Sequence, residues 1–438
     1  MKDLDRRSFL KNASAIAGTS VLLTNPLTSS AFYSQSADEV KVALIGCGGR
    51  GTGAAFQALS VKENVRLVAM ADAFRDRLDS CYENLTTGRA KEGKVAERVQ
   101  VPEDQKFVGF EAYKQAIALA DVVILTTPPG FRPIHFEEAI RQNKHVFMEK
   151  PVAVDAPGIR RVLDAAEESK KKNLKVVVGL QRHYQKSYLE TYRRVVEEGA
   201  IGDIVSARCY WNNDGVWVKE RKPEMTEMEY QMRNWYYFVW LCGDHIMEQH
   251  IHNIDVVNWF KGGYPTEAIG IGGREVRTGK QYGEIFDHHV VEFEYADGMI
   301  LNSQCRHQPG TVANVSEHLV GTKGKATEGK IFDLKGNSIW RHRDRDDKNP
   351  YQVEHDHLFD CIVNDVAVND AYNGAMSTMT ALLGRMASYS GQRVTMEEAL
   401  ASDISYAPSA YTWDTLPQSL PDENGFYDIP VPGKYKAV

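Results

Sequence analysis

Val40-Lys41-Val42-Ala43-Leu44-Ile45-Gly46-Cys47-Gly48-Gly49-Arg50-Gly51 decides the fold. The first six residues read as a short buried strand, and the glycines that follow open an Ala-rich helical stretch from Gly51 to Leu59. A dinucleotide pyrophosphate needs this arrangement: bare backbone at a tight turn, then helix N-terminal N–H groups aimed at its charge. Gly46, Gly48, Gly49, Arg50 and Gly51 are therefore the first cofactor-binding candidates. The glycine spacing alone is a weak signal. It is strengthened by Asp72, which closes the next apolar run about twenty positions on, where a carboxylate accepts the two ribose hydroxyls. Asp72 also disfavours a 2′-phosphate, so NAD is expected over NADP, with Arg75 and Arg77 the side chains that would neutralise a phosphate if the loop turned back.

Outward from this turn, strand-length apolar runs recur at Val65 to Ala71, Val122 to Thr127, His145 to Glu149 and Val176 to Leu180. Helical patterns such as His135 to Gln142 and Gly158 to Lys170 lie between them. Strand and helix in alternation predict an α/β Rossmann domain with a parallel sheet covered on both faces. Ligands sit outside the carboxyl ends of such strands, which makes Thr127, Pro128, Glu149 and Lys150 cofactor-facing candidates.

After Arg182 the pattern changes to period two, with Val205, Ala207, Cys209 and Trp211, then Val291, Phe293 and Tyr295, each set on one face. Asp297-Gly298 and Gly321-Thr322-Lys323-Gly324 are hairpin signals. An α+β domain with a large, mainly antiparallel sheet is expected. Helical spacing returns with Leu358, Cys361, Ile362 and Val366, then Met376, Met379, Leu382, Leu383 and Met386, and the Pro-containing end from Leu416 reads as an extended arm. Residues 32–182 are assigned to the cofactor domain, 183–410 to the substrate and oligomerisation domain, and 411–438 to the arm. The apolar positions on the alternating strands predict a sheet face buried in a homo-oligomer.

Residues 1–31 differ from the rest. Arg6-Arg7-Ser8-Phe9-Leu10-Lys11 precedes an Ala/Ser/Thr-rich run from Ala13 to Leu23, which reads as a twin-arginine export signal, and Ser29-Ser30-Ala31 offers a small-x-small cleavage site. The run is too short for a membrane span, so the mature chain is expected in the periplasm or attached on its periplasmic side. Removal of the segment and its retention as an anchor both remain open. Six separate cysteines without a C-x-x-C pair imply buried thiols rather than a disulfide framework. A net charge of -7 with interspersed signs gives no footprint for nucleic acid.

Glu149-Lys150-Pro151 at the end of the fifth strand resembles the Gfo/Idh/MocA family, named for glucose-fructose oxidoreductase and inositol dehydrogenase. The resemblance implies that Lys150 lies beside the nicotinamide and the reacting hydroxyl, where an ammonium stabilises the developing alkoxide. A second family motif has an acidic residue four positions before a histidine and an aspartate three after it, here Glu248, His252 and Asp255. It implies that His252 is the general base, with Glu248 in place of the usual aspartate. On one continuous helix, His245, Glu248, His252 and Asp255 would share a face and His250 would point away. A carboxylate beside His252 would then raise its basicity. The same His245, Glu248 and His252 also match a divalent-metal pattern. Acid/base work is the preferred reading, and no metal is assigned.

The aromatic stretch Arg233 to Trp240 supplies sugar-stacking candidates, so Arg233 and Trp235, with Arg182, Tyr184 and Asp255, are assigned to the substrate wall. The expected activity is NAD-dependent oxidation or reduction of a ring hydroxyl on a sugar, glycoside or polyol, with the cofactor tightly retained. The alternative is an NAD-dependent glycosidase working by transient C3 oxidation and elimination. A non-catalytic sugar-binding protein is the third reading.

Overall fold

The computed structural model describes residues 39–88, 90, 95–344 and 346–438, so the expected twin-arginine segment and cleavage site lie outside the described residues. Strand β1 (Val40–Ile45) is central in a six-stranded parallel sheet ordered β3-β2-β1-β4-β5-β6, with β2 Val65–Asp72, β3 Lys106–Val108, β4 Val122–Leu125, β5 His145–Met148 and β6 Val176–Val178. The strands are apolar at successive positions because helices cover both faces. The order reverses between β1 and β4, and a crevice opens there at the carboxyl ends. β3 is a three-residue strand that the apolar pattern does not mark.

The second sheet has nine strands in the order β14-β13-β12-β11-β7-β10-β9-β8-β15. They are β7 Ile204–Asn213, β8 Glu267–Gly273, β9 His288–Glu294, β10 Ile300–His307, β11 Asn314–Gly321, β12 Gly324–Thr327, β13 Lys330–Asp333, β14 Ser338–Arg341 and β15 Val394–Thr395. All neighbours are antiparallel except β7 and β10, which run parallel. Both expected hairpins form, β9 to β10 and β11 to β12. Ala207 and Cys209 are buried, but Val205 is not. A bulge pairs Val320 with Ser206 and Gly321 with Ile204, so Val205 is the extra residue and turns outward. Val366 likewise leaves its expected stripe, because the helix Pro350–Val363 ends before it. All six cysteines are buried and unbridged. Among the described residues, no helix is long and apolar enough to cross a membrane.

The helix Ala371–Ser390 carries the expected Met/Leu stripe and is buried from Gly374 to its end. It lies against β8 and β9 on one side and the helix Ala156–Lys171 on the other. The Val152 N–H donates to Thr378 Oγ1 at 3.2 Å, which fixes the chain just beyond Glu149-Lys150-Pro151 to this helix. The segment 402–438 has no regular elements, and its Tyr411 and Trp413 rest on Phe131, Phe110 and Phe74 near the crevice.

At Gly130 the backbone after β4 meets the helix Val239–Cys242 so closely that an added Cβ would sit 2.0 Å from the Trp240 carbonyl oxygen. Gly130→Ala should therefore destabilise the protein by about 1–3 kcal/mol through overpacking. Denaturant unfolding checks this, and an unchanged midpoint would remove the close approach from the account.

Candidate active site

The crevice at the carboxyl ends of β1, β2 and β4 is a cleft of about 400 Å3. Gly46, Gly48, Gly49, Arg50, Asp72, Thr126, Thr127 and Pro128 line it. The glycines have separate tasks. Gly46 has φ +96°, and a Cβ there would lie 2.6 Å from the Thr127 nitrogen, while a Cβ on Gly51 would lie 1.9 Å from the Gly46 carbonyl oxygen. These two let the turn close. Gly48 and Gly49 have nothing within 4 Å of an added Cβ, so bare backbone faces open space. Gly48 caps the helix Gly49–Ala58 without any side-chain hydrogen bond, leaving the N-terminal N–H groups available to an anion. A dinucleotide pyrophosphate fits this cradle.

Asp72 accepts from the Cys47 N–H at 2.6 Å and the Phe74 N–H at 2.8 Å. Burial pushes its carboxyl up, against the pull of these two donors. Arg75 is engaged with Asp79 and Glu103, whereas Arg77 lines the cleft. Thr126 Oγ1 donates to the Gly46 carbonyl at 2.6 Å, and buried Arg132 donates to the Thr127 carbonyl at 2.6 Å. Arg50 runs along the cleft to Glu149, Nε to Oε1 at 2.6 Å.

Lys150 Nζ donates to the Glu248 carbonyl at 2.7 Å and stands 3.5 Å from Glu248 Oε1. Burial raises the Glu248 carboxyl to about 7, although Lys150 and Arg132 pull the other way. The helix expected through this motif breaks into two. One turn runs His245–Glu248, and the helix Ile251–Lys261 starts afresh, so the predicted single face does not exist. His245 turns toward Asp244 and His289, Glu248 toward Lys150, and Asp255 accepts from Ser377 Oγ at 2.7 Å and pairs with His183 Nε2 at 2.7 Å. His245, Glu248 and His252 do not converge on a common point for a metal. His252 is 6% exposed with Nδ1 buried and unpartnered, which leaves Nε2 to meet solvent. The expected rise in its basicity is overturned. Burial first, then Lys150 and Arg182, hold it well below the ordinary histidine range, so the ring is neutral.

The substrate-wall candidates separate. Arg233 and Trp235 line the dinucleotide cleft, and Arg233 lies over the Phe74 ring while bonded to Asp76 and Glu229. Arg182 is buried in an ion pair with Glu317, and the Tyr184 hydroxyl donates to Asp370 at 2.9 Å. Tyr236, Tyr237, Phe238 and Trp240 are aromatic core. Two further groups have no local sequence signal. Glu354 is fully buried, 4.0 Å from Arg50, with its carboxyl pushed well up by burial and then by Glu149; Tyr351 lies beneath the Arg50 guanidinium. Both come from the helix Pro350–Val363, far down the chain from the glycine loop.

Two family models match: the oxidoreductase family NAD-binding Rossmann fold over residues 40–179 and the GFO/IDH/MocA C-terminal domain over residues 189–327. The chain belongs to the Gfo/Idh/MocA family. It is 27% identical to 2,7-anhydro-N-acetylneuraminate hydratase of Escherichia coli over 47% of its own length, and this match spans half the length of that relative. It is 25% identical to inositol 2-dehydrogenase of Ralstonia nicotianae over 66% of this chain and 73% of that one. The crystal structure of scyllo-inositol dehydrogenase from Lactobacillus casei with bound NAD(H) and scyllo-inositol superposes with a TM-score of 0.60. It covers 82% of this chain and 100% of that one, and at 19% identity the likeness speaks to the fold.

A raised carboxyl binds its proton more tightly in the folded chain than in the unfolded one. The stabilisation is full below the ordinary value of 4.5 and is lost as pH rises through about 7. Glu248→Gln keeps a neutral side chain at every pH. Its melting temperature relative to the native protein should therefore climb, on the order of a few degrees, as pH rises through that window. A gap that stays constant with pH would contradict the raised carboxyl.

Proposed function

We propose that this protein oxidises or reduces a ring hydroxyl of a sugar, glycoside or polyol with a nicotinamide dinucleotide, NAD rather than NADP. One observation carries the reading: Lys150, its ammonium held by the Glu248 carbonyl, follows directly on Glu149, which reaches the glycine loop through Arg50. The dinucleotide, when bound, accepts or returns the hydride. Gly48, Gly49 and the N-terminal turn of Gly49–Ala58 hold its pyrophosphate, and Asp72 takes the ribose hydroxyls. Lys150 stabilises negative charge on the reacting oxygen. His252, kept neutral by burial, receives the hydroxyl proton at Nε2. The polar groups on Arg233 and the Trp235 ring then belong to the cofactor side of the cleft rather than to the sugar.

The second reading is an NAD-dependent glycosidase whose redox steps cancel. Similarity to a protein named as a hydratase favours it, since water addition has no net oxidation. Export in a folded, twin-arginine form fits either reading and calls for a cofactor that stays bound, because free NAD is not supplied outside the cytoplasm. We place the mature chain in the periplasm on the Arg6-Arg7 signal.

The protein should release NAD(H) on denaturation, read by mass spectrometry. Lys150→Ala should retain it while losing roughly a hundredfold or more in turnover on a panel of glycosides and inositols. Aglycone release without net NADH would select the glycosidase, and undiminished turnover in the variant would remove Lys150 from the chemistry.

The face of the second sheet turned away from the helices carries Ile269 and Val290, with Ile271 70% exposed. We assign this face to a homo-oligomer contact. Light scattering at micromolar concentration should report a dimer or larger, and Ile271→Lys should shift it toward monomer; a monomeric native protein refutes the assignment.

A further inference from the structure

A second cluster of chemically able side chains lies outside the cleft. Asp244, His245 and His289 each present one ligand atom, all within 4.8 Å of one another and all in the fully buried interior. Asp244 Oδ1 is 2.7 Å from His245 Nδ1, and Oδ2 is 3.3 Å from His289 Nε2. The His307 ring lies against His245 with centroids 4.4 Å apart. None of the four lines the dinucleotide cleft.

Hydrogen bonding shows what this cluster lacks. Ser388 Oγ lies 2.9 Å from the Gly384 carbonyl and 2.8 Å from His289 Nδ1, which fixes the orientation of that ring. His289 Nε2 faces the Asp244 carboxylate at 3.3 Å without a well-aligned hydrogen bond. His245 Nδ1 is paired with Asp244 Oδ1, whereas His245 Nε2 and both ring nitrogens of His307 are buried without a hydrogen-bond partner. Arg385 stands nearby, donating to the Gly243 carbonyl at 3.0 Å, and offsets the carboxylate charge without giving any of these nitrogens a partner. Buried imidazoles are normally satisfied, so this many open nitrogens around one carboxylate point to a missing cation.

The backbone adds an independent sign. Asp244 has φ 84° and ψ 161°, a region that side-chain-bearing residues almost never occupy, whereas the other non-glycine residues with positive φ lie between 52° and 57°. The conformation is held by the Phe286 N–H at 3.0 Å and the Tyr389 hydroxyl, both donating to Asp244 Oδ2. These donors and the Ser388 contact to His289 are the kind of outer partners that orient metal ligands.

We propose that Asp244, His245 and His289 bind a divalent first-row metal such as zinc. Two imidazoles and one carboxylate match its preferences, and bonds of about 2.0–2.2 Å would require ligand atoms that now lie within 4.8 Å of one another to draw together around the ion. Complete burial makes the site structural. The ion would pin the turn His245–Glu248, whose last carbonyl holds Lys150, and so couples metal content to the position of the catalytic ammonium.

The test uses the full chain, produced once in medium supplemented with Zn2+ and once with Co2+, then dialysed against a weak chelator. Elemental analysis should find about one equivalent of metal per chain, the cobalt form should show visible ligand-field bands, and His289→Gln should hold less than about a tenth of an equivalent. The native protein decides the matter even if the variant fails to fold. Metal below about a tenth of an equivalent in native protein from both media would overturn the proposal and leave a proton shared in an Asp–His network. Metal retained undiminished by His289→Gln would overturn it too, by placing the ion elsewhere.

Discussion

The helix Ala371–Ser390 has almost no surface of its own, and the rest of the molecule is arranged around that constraint. One side covers the second sheet at β8 and β9, and the other receives the Rossmann helix Ala156–Lys171. A helix so enclosed must satisfy its polar side chains internally. Thr378, Thr380, Ser388 and Ser390 do so by donating to carbonyls one turn back, and Ser377 donates to Asp255. Thr378 also accepts from the Val152 N–H, so the strand end that carries Lys150 is tied to the element that supports the second sheet. The cofactor half and the substrate half are thereby positioned by one shared core rather than by a surface contact.

Burial also sets the electrostatics of the cleft. Arg50 pairs with Glu149 and stands 4.0 Å from Glu354, and Lys150 stands 3.5 Å from Glu248. Charges in such a place persist only when paired. Burial, against the pull of Lys150 and Arg132, raises the Glu248 carboxyl to about 7, while burial first and then Lys150 hold His252 neutral. A neutral imidazole and a held ammonium are the two groups that the proposed hydroxyl deprotonation would use.

Much of this was written in the local pattern. Short continuous apolar runs flanked by turn residues fit buried parallel strands, and alternating runs fit a half-covered sheet, so the two sheets, both hairpins and the Met/Leu helix follow from pattern and length. The glycine turn and Asp72 follow because few other residues permit the backbone approach. Where the reading failed, a long-range contact had overridden a local one. Val205 faces outward because it is the extra residue of a bulge in β7 where that strand pairs with β11. The motif around His252 breaks its helix after Glu248, and Asp255 finds His183 instead.

The sequence by itself determined the order of strands and helices, the dinucleotide turn, and the residue types at Lys150 and His252, because spacing along the chain is all that these require. Tertiary structure alone decided which charges meet. Arg50 reaches Glu149 and Glu354, and His289 reaches the Asp244-His245 pair, across separations in sequence that no periodicity spans. Proton affinities were decided there as well, since the energy of a charge depends on the groups packed around it and on the water they exclude.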